Sequence, residues 1–472
     1  MNHIHLKRCV HMWFLNIFCH FVNGMELDLF KGNTFANGDI QCTMENGNNI
    51  IWQNENFKNK ENILVVSTTG YERLKKILSD TEDILMKYKS STTYDFYIIN
   101  EVYKGEKSVD VKYKNYFFTP DSGDSNEVAK IIDCVKNWNV KFDYNIQTDE
   151  FAVDLLSFIN TELKLPGMQL DDCYKFRDKV KMKQVLSENI RKPKMYTLND
   201  ITNDNVTYPV ILKPRCFAGS RGVKIIDKKE KLLQNLKGLY FDYTRVSEFN
   251  YGEEDIEVEE YIQAPICHID GIVFNNEIKF CICSQYINTC FEYTTGKILG
   301  SKKGSEVQQK KALDFATEVN NSLKLPNGVF HLEAFWKDEN FIFLEIGIRP
   351  GGAEIVPSIE LATGLNLATE HIKCQIGITP DTPCDKYKYF GWVNFPCKLN
   401  SDKELHIKSI CLENKNLETL KIKNIPTLKE RVDVYFTNYA KNLGSFVFAS
   451  NDENQMNSDM QFIMENYKVI FE

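Results

Sequence analysis

The chain has 472 residues, 43% hydrophobic and 12% aromatic, with 57 basic against 65 acidic side chains and a net charge of −8. That length exceeds one simple core, so two or three domains are expected. The mild, dispersed acidity argues against a nucleic-acid partner, and no apolar run reaches membrane-spanning length, so no membrane partner is expected. The 14 cysteines are scattered, with only Cys281-Ile282-Cys283 close together, which fits reduced core thiols in a cytoplasmic protein.

Residues 1–24 form an atypical N-terminal extension. Lys7-Arg8 precede a mostly apolar run from Val10 to Val22, as in a signal peptide, but His11, Asn16 and His20 interrupt it and no A-x-A-like site follows. A start at Met25 is the favoured reading. Residues 25–170 then alternate strands and helices. Asn62–Ser67 reads as a buried strand, Tyr71–Tyr88 as a helix and Tyr94–Ile99 as a strand. Glu127–Trp138 reads as a helix, Phe142–Ile146 as a strand and Asp149–Leu163 as a helix. Such alternation predicts an α/β domain with an open parallel sheet, and no G-x-G-x-x-G marks it for a dinucleotide. Glu150, ahead of the last helix, reads either as a cleft-shaping acid or as one attracted by the helix dipole.

Phe176–Glu188 reads as an amphipathic helix with Asp178 near its start and Lys179, Lys181 and Lys183 as a solvated face. Next come a strand VILKP, a loop RCFAGSRG and a strand VKIID. The small residues Ala218, Gly219, Ser220 and Gly222 let backbone N–H groups approach an anion, and Lys213 can reach the same anion. Taken alone, that loop is a turn. Ile256–Ile262 is an acidic strand, followed by strands at His268–Phe274 and Ile278–Tyr286 and a helix at Glu306–Leu323.

Val329–Gly352 reads as a hairpin closed by Lys337-Asp338-Glu339-Asn340, with His331, Glu333 and Phe335 on one face. Pairing its strands sets Glu333 beside Glu345. Two adjacent carboxylates repel unless a proton or cation lies between them, and hard oxygen ligands suit Mg²⁺ that keeps waters and substrate phosphates in its shell. Arg349 adds a planar cationic fork before Gly351-Gly352. His331 reads as a satisfied strand residue. Ile355–Gly377 is expected to form two short helices, and residues 381–472 a strand-rich subdomain with Gly391 and Gly444 at turns.

Four windows in this order, RDKVKMKQVL, VILKPRCFAGSRGV, VEEYI, and HLEAF with LEIGIRPGG, resemble the ATP-grasp superfamily of carboxylate–amine ligases. The likeness is closest to the branch of carnosine-synthase-like and L-amino-acid dipeptide ligases. It implies an α/β fold (α+β in the ATP-binding part), with an open parallel-sheet N-terminal domain before an ATP-grasp domain over 171–380. A mobile lid would span roughly 193–265. The implied cofactors are ATP and Mg²⁺, with Mn²⁺ as a substitute. A small-molecule carboxylate and an amine are the implied substrates, and dimers are frequent among relatives.

The resemblance also implies roles. Lys179 and Lys213 would contact the ATP phosphates, and Ala218 to Gly222 would close over them, with Ser220 donating to a phosphate oxygen. Glu259 would accept the adenine amino group while the backbone of Glu260 and Ile262 meets the ring edge. Glu333 and Glu345 would hold magnesium, and Arg349 the transferred phosphoryl group. Three positions depart from the family pattern. Gly347 stands where Glu-x-Asn is common, and Ile266 where an acid holds the ribose, leaving Asp270 or His268 as substitutes. Arg221 is unassigned. The leading expectation is an ADP-forming ligase for amino acids; the alternatives are a bicarbonate- or formate-activating enzyme and a nucleotide-binding protein without turnover.

Overall fold

The computed structural model describes residues 41–43, 49–51, 59–69, 71–88, 92–101, 113–118, 127–242, 256–397, 405–413, 415–429, 431–432 and 442–472. The readings made on residues 1–24 lie outside them. After a short hairpin of β1 (Gln41–Thr43) and β2 (Asn49–Ile51), runs apolar on both faces build a parallel sheet. Its strands are β3 (Asn59–Ser67), β4 (Thr92–Glu101), β5 (Lys114–Phe118) and β6 (Tyr144–Gln147), in the order β5-β4-β3-β6. Alternate residues feed opposite faces. Ile63 and Val65 pack with Leu74 and Leu78 of α1 (Tyr71–Tyr88). Leu64 and Val66 pack with Ile131 of α2 (Glu127–Asn137) and Leu155 of α3 (Ala152–Leu163). β5 was not foreseen, because its run KNYFF is short and lacks alternation.

The single helix expected over Phe176–Glu188 is two: α4 (Leu170–Arg177) and α5 (Lys179–Val185). Asp178 is extended between them, at φ −90° and ψ 108°, and its side chain accepts from the N–H groups of Val180 and Lys181. That fresh N-cap rephases the lysines. Lys179 and Lys183 turn inward and are buried while Lys181 stays exposed, which corrects the solvated-face reading.

β7 (Met195–Tyr196), α6 (Leu198–Thr202), β8 (Val210–Pro214), β9 (Lys224–Ile226), α7 (Lys229–Asp242) and β10 (Ile256–Glu260) follow. Their strands form an antiparallel sheet in the order β7-β10-β8-β9, with Tyr196, Val210, Leu212 and Val258 in its small core. The long antiparallel sheet begins with β11 (Ile266–Phe274) and β12 (Glu277–Asn288), followed by α8 (Cys290–Thr294) and β13 (Leu299–Lys303). Then come α9 (Glu306–Leu323), β14 (Gly328–Lys337), β15 (Asn340–Gly347), α10 (Ile355–Thr363), α11 (Leu367–Gln375) and β16 (Tyr389–Asn394). The chain ends with β17 (Leu405–Cys411), β18 (Leu420–Asn424), β19 (Arg431–Val432), β20 (Ser445–Ser450), α12 (Glu453–Asn466) and β21 (Lys468–Phe471).

Eight strands lie in the order β15-β14-β11-β12-β13-β16-β20-β18. Leu332 and Ala334 pack toward α9 through Phe315 and Val319, and Val329 packs on the other side with Ile359 and Leu367. His331 and Glu333 therefore share the face away from α9. Gly391 is not at a turn: it lies within β16, where a Cβ would stand 2.9 Å from Met460 Sδ of α12. Among the described residues no helix is long and apolar enough to cross a membrane.

Candidate functional site

A cavity of about 610 Å³ is lined by the four-stranded sheet on one side and by β11, β12, β14 and β15 on the other. Lys179 reaches it from the first turn of α5 and Lys213 from β8. Ala218, Gly219 and Ser220 reach it from the loop between β8 and β9, and Glu259 and Ile262 from β10 and the residues after it. Glu333 and Glu345 line the opposite side. Ile211, Ile225, Phe335 and Leu344 make much of the remainder apolar, the usual texture of a small-molecule site. Gly222, Glu260 and Arg349 stand outside this lining.

The loop owes its shape to backbone geometry. Gly219, Ser220 and Gly222 have φ of 63°, 57° and 74°, left-handed values on either side of Arg221 that turn the chain sharply. Arg221 lines the cavity with its guanidinium 5.4 Å from the Phe217 ring centre.

On β10 the period of two sends Glu257 and Glu259 inward and Glu260 outward. Lys183 Nζ donates to Glu257 Oε1 at 2.6 Å and to Glu259 Oε2 at 2.5 Å, and Lys213 Nζ donates to Glu259 Oε1. None of these four residues is more than 4% exposed. Burial pushes the Glu259 carboxyl up, but Lys213 and Lys183 outweigh it and bring it down to about 2. Glu257 goes the other way: burial and the charge of Glu259 raise it despite both lysines. Lys213 loses by burial and gains more from Glu259, Glu257 and Glu345, so it is held above its ordinary value. Sequence reasoning missed the role of Lys183, although its i,i+4 spacing from Lys179 places both on one helix face. Glu260 forks onto Arg191 at 2.8 and 2.9 Å, and its N–H donates to Lys194 O at 2.8 Å.

Midway along β14 and near the end of β15, Glu333 stands directly opposite Glu345, with a register irregularity beside it. Glu345 Oε2 lies 3.2 Å from Lys179 Nζ. Glu333 Oε1 accepts from the Tyr286 hydroxyl at 2.8 Å and lies 3.4 Å from His331 Nε2. Behind it runs a buried chain. Asp270 bonds His331 Nδ1 at 2.8 Å and His268 Nδ1 at 2.6 Å, and His268 Nε2 meets Ser301 Oγ at 2.6 Å. Burial pushes Asp270 up, yet His331 and His268 hold it well below the carboxylate range. Burial lowers His331, but Asp270 and Glu333 outweigh it and raise the imidazole to about 9. His268 and Asp270 are 1% and 0% exposed and fully engaged, so neither takes the place of a ribose contact at Ile266. The ladder itself builds this chain, pairing His268 with Glu333 and Asp270 with His331 across β11 and β14.

Two opposed carboxylates opening on one cavity fit a hard divalent cation such as Mg²⁺. Beside them, Arg349 Nε donates to Glu150 Oε2 at 2.6 Å. Burial and Glu150, Glu333 and Glu345 act on its guanidinium in opposite senses, and the three acids prevail, raising it. Arg177 pairs with Glu150 as well, with Asp154 at 2.8 Å and with Cys216 O at 3.0 Å.

Residues 206–357 match the family described as the ATP-grasp domain. The chain is similar to D-alanine–D-alanine ligase of Petrotoga mobilis (strain DSM 10674 / SJ95), 24% identical over 244 residues, or 48% of this chain and 77% of that protein. Its fold is similar to L-amino acid ligase from Bacillus licheniformis, with TM-score 0.65 and 15% identity over 87% of this chain and 99% of that one. It is also similar to the biotin carboxylase domain of Hydrogenobacter thermophilus 2-oxoglutarate carboxylase, solved with MgADP and bicarbonate. There the TM-score is 0.62 with 12% identity over 86% of this chain and 90% of that one.

Proposed function

From the premise that residues 206–357 form an ATP-grasp domain, we propose that the chain is an ADP-forming ligase. It activates a carboxylate as an acyl phosphate and joins it to an amine, with an amino acid or peptide as substrate. The observation that carries this reading is the opposed pair Glu333 and Glu345, which line one cavity together with Lys179 and Lys213.

A carboxylate resists amines because its oxygens leave poorly. Transfer of the terminal phosphoryl of ATP to a carboxylate oxygen makes that oxygen a good leaving group, and the step needs positioning and charge neutralisation more than covalent help. Lys179 and Lys213 hold phosphate oxygens from α5 and β8, while Ala218 to Gly222 lie over them as a lid that excludes water. Apolar Ile211, Ile225 and Leu344 take the base, with Glu259 accepting its amino group. Glu333 and Glu345 hold Mg²⁺, which when bound supplies neutralising charge for the phosphates. Arg349 holds the transferred phosphoryl group. The amine then attacks the acyl carbon, and the tetrahedral oxyanion collapses to an amide as phosphate leaves.

The ligase names among the similar proteins support an amino-acid substrate, and a fold spanning 87% of the chain agrees. The biotin carboxylase likeness favours bicarbonate activation as the second reading. ADP release measured against amino acids singly, in pairs, and against bicarbonate separates them. Release that requires an amino-acid pair supports the ligase. Release on bicarbonate alone supports the second reading, and nucleotide binding with no release on any substrate overturns both.

A further inference from the structure

Gly347 stands two residues after Glu345, and the structure shows what occupies the space a side chain would fill there. A Cβ on Gly347 would lie 2.7 Å from Glu150 Oε2 and 3.4 Å from Arg349 Cγ. The first is well inside the contact distance of carbon and oxygen, so one of the two must move. A glutamate would ordinarily swing clear at little expense. This one is clamped, because Arg349 donates to Oε2 and Arg177 pairs with Oε1. Burial pushes the Glu150 carboxyl up, but Arg177, Arg349 and Lys179 bring it down to about 2, so at neutral pH it acts as a full anion.

The turn that carries Glu150 is pinned to the same place. Gln147, at the end of β6, donates from Nε2 to Ile348 O at 2.7 Å. Its N–H donates to Gln375 Oε1 at 3.0 Å, and Gln375 Nε2 donates to Gln147 O at 2.9 Å. Arg177 extends the linkage to Cys216, where the glycine-rich loop begins. Three parts of the chain therefore meet at one carboxylate: the parallel-sheet domain, the RPGG turn and the entry to the loop.

We propose that Glu150 and Gly347 form a single positioning unit, in which the bare glycine makes room for a carboxylate from the N-terminal domain that fixes the Arg349 guanidinium within the field of Glu333 and Glu345. Glu150 acts through Arg349 and is a positioning residue. The departure at Gly347 is then part of a working site. Restoring the Asn common in the family at that position damages this chain, because the new side chain evicts Glu150 from between two arginines. The catalytic arm of the test rests on the ligase reading; the stability arm does not.

The test is a double-mutant cycle of wild type, Glu150→Ala, Gly347→Asn and the pair together, read by thermal midpoint and by kcat and KM for ATP. Gly347→Asn is expected to lower the midpoint by several degrees and kcat by about 100-fold, the scale of a misaimed group, with KM for ATP within about threefold. Glu150→Ala lowers kcat similarly. In the double variant the Asn carboxamide occupies the vacated space and accepts from Arg349, so both midpoint and kcat recover above the sum of the single losses. A wild-type midpoint for Gly347→Asn, or strictly additive losses in the double variant, overturns the proposal. If the wild type releases no ADP on any substrate, the ligase reading fails and the midpoint cycle alone decides the coupling.

Discussion

Two groups of charges face the same cavity and are built on opposite plans. On the four-stranded sheet, Lys183 and Lys213 each bond a buried glutamate, so two ammonium groups meet two carboxylates within the protein. On β14 and β15, Glu333 and Glu345 face one another, and Glu333 finds a hydroxyl and an imidazole as its near partners. The first group is complete without a ligand, and its closure fixes where Lys213 and Glu259 point. In the second, Lys179 Nζ lies 3.2 Å from Glu345, and both acids also line the cavity, where a divalent cation fits. On the proposed reading, the first group orients Lys213 and Glu259 for the nucleotide and the second holds the metal. Substitutions that separate stability from turnover test that division.

The largest effect is expected at Glu345. Glu345→Gln keeps the shape and removes the charge, so turnover should fall on the order of 10³-fold. Its side chain is 33% exposed, so the thermal midpoint should stay near that of wild type. Equal ADP release by the variant would overturn the proposal that Glu345 holds a metal.

Lys183→Met should show the reverse. It leaves two buried carboxylates to share Lys213, and losing one partner from such a set costs about 3–5 kcal/mol. Chemical denaturation of the single variant checks this. Adding Glu257→Gln restores one carboxylate per ammonium, and because Glu257 is the acid already raised toward neutrality, most of the stability should return. If the double variant is no more stable than the single one, the four groups do not act as a set.

Acid exposes a smaller difference. Glu259 and Glu150 are both brought to about 2 in the folded chain. Each depressed carboxylate contributes stability that is present above its unfolded value, about 4.5, and lost as pH falls through that value toward about 2. Glu150→Gln should therefore give a thermal midpoint that falls less steeply than wild type below about pH 4.5. Identical slopes would mean that the two arginines do not hold Glu150 ionised.

The sequence made the Glu333–Glu345 pairing legible because one short turn fixes the register of both strands. Lys213 and the glycine-rich loop were legible for the same reason: strand, turn and strand are contiguous. Lys183 was not, because an uncapped helix over Phe176–Glu188 would leave it in solvent, and only the extended Asp178 rephases it inward. The partnership of Glu150 with Arg349 spans 199 residues, and no local pattern reports a contact between domains. The His268–Asp270–His331 chain depends on the lateral register of β11 against β14, set by strands 61 residues apart. Local periodicity gave the elements and the hairpin; the contacts that position the charges came from long-range packing.

The smallest expected effect separates the hydroxyl of Ser220 from its backbone. Ser220 has φ of 57°, a conformation that costs a non-glycine residue about 1–2 kcal/mol. Ser220→Ala keeps that backbone cost and removes only the hydroxyl proposed to donate to a phosphate oxygen, so on that reading KM for ATP should rise about threefold to tenfold, the worth of one hydrogen bond. Ser220→Gly removes the donor and the backbone cost together. If the loop acts mainly through its left-handed shape, glycine should restore part of what alanine loses. If the hydroxyl is what matters, the two variants should be equally impaired. An unchanged KM in both would place Ser220 off the phosphates and leave Lys179 and Lys213 to hold them alone.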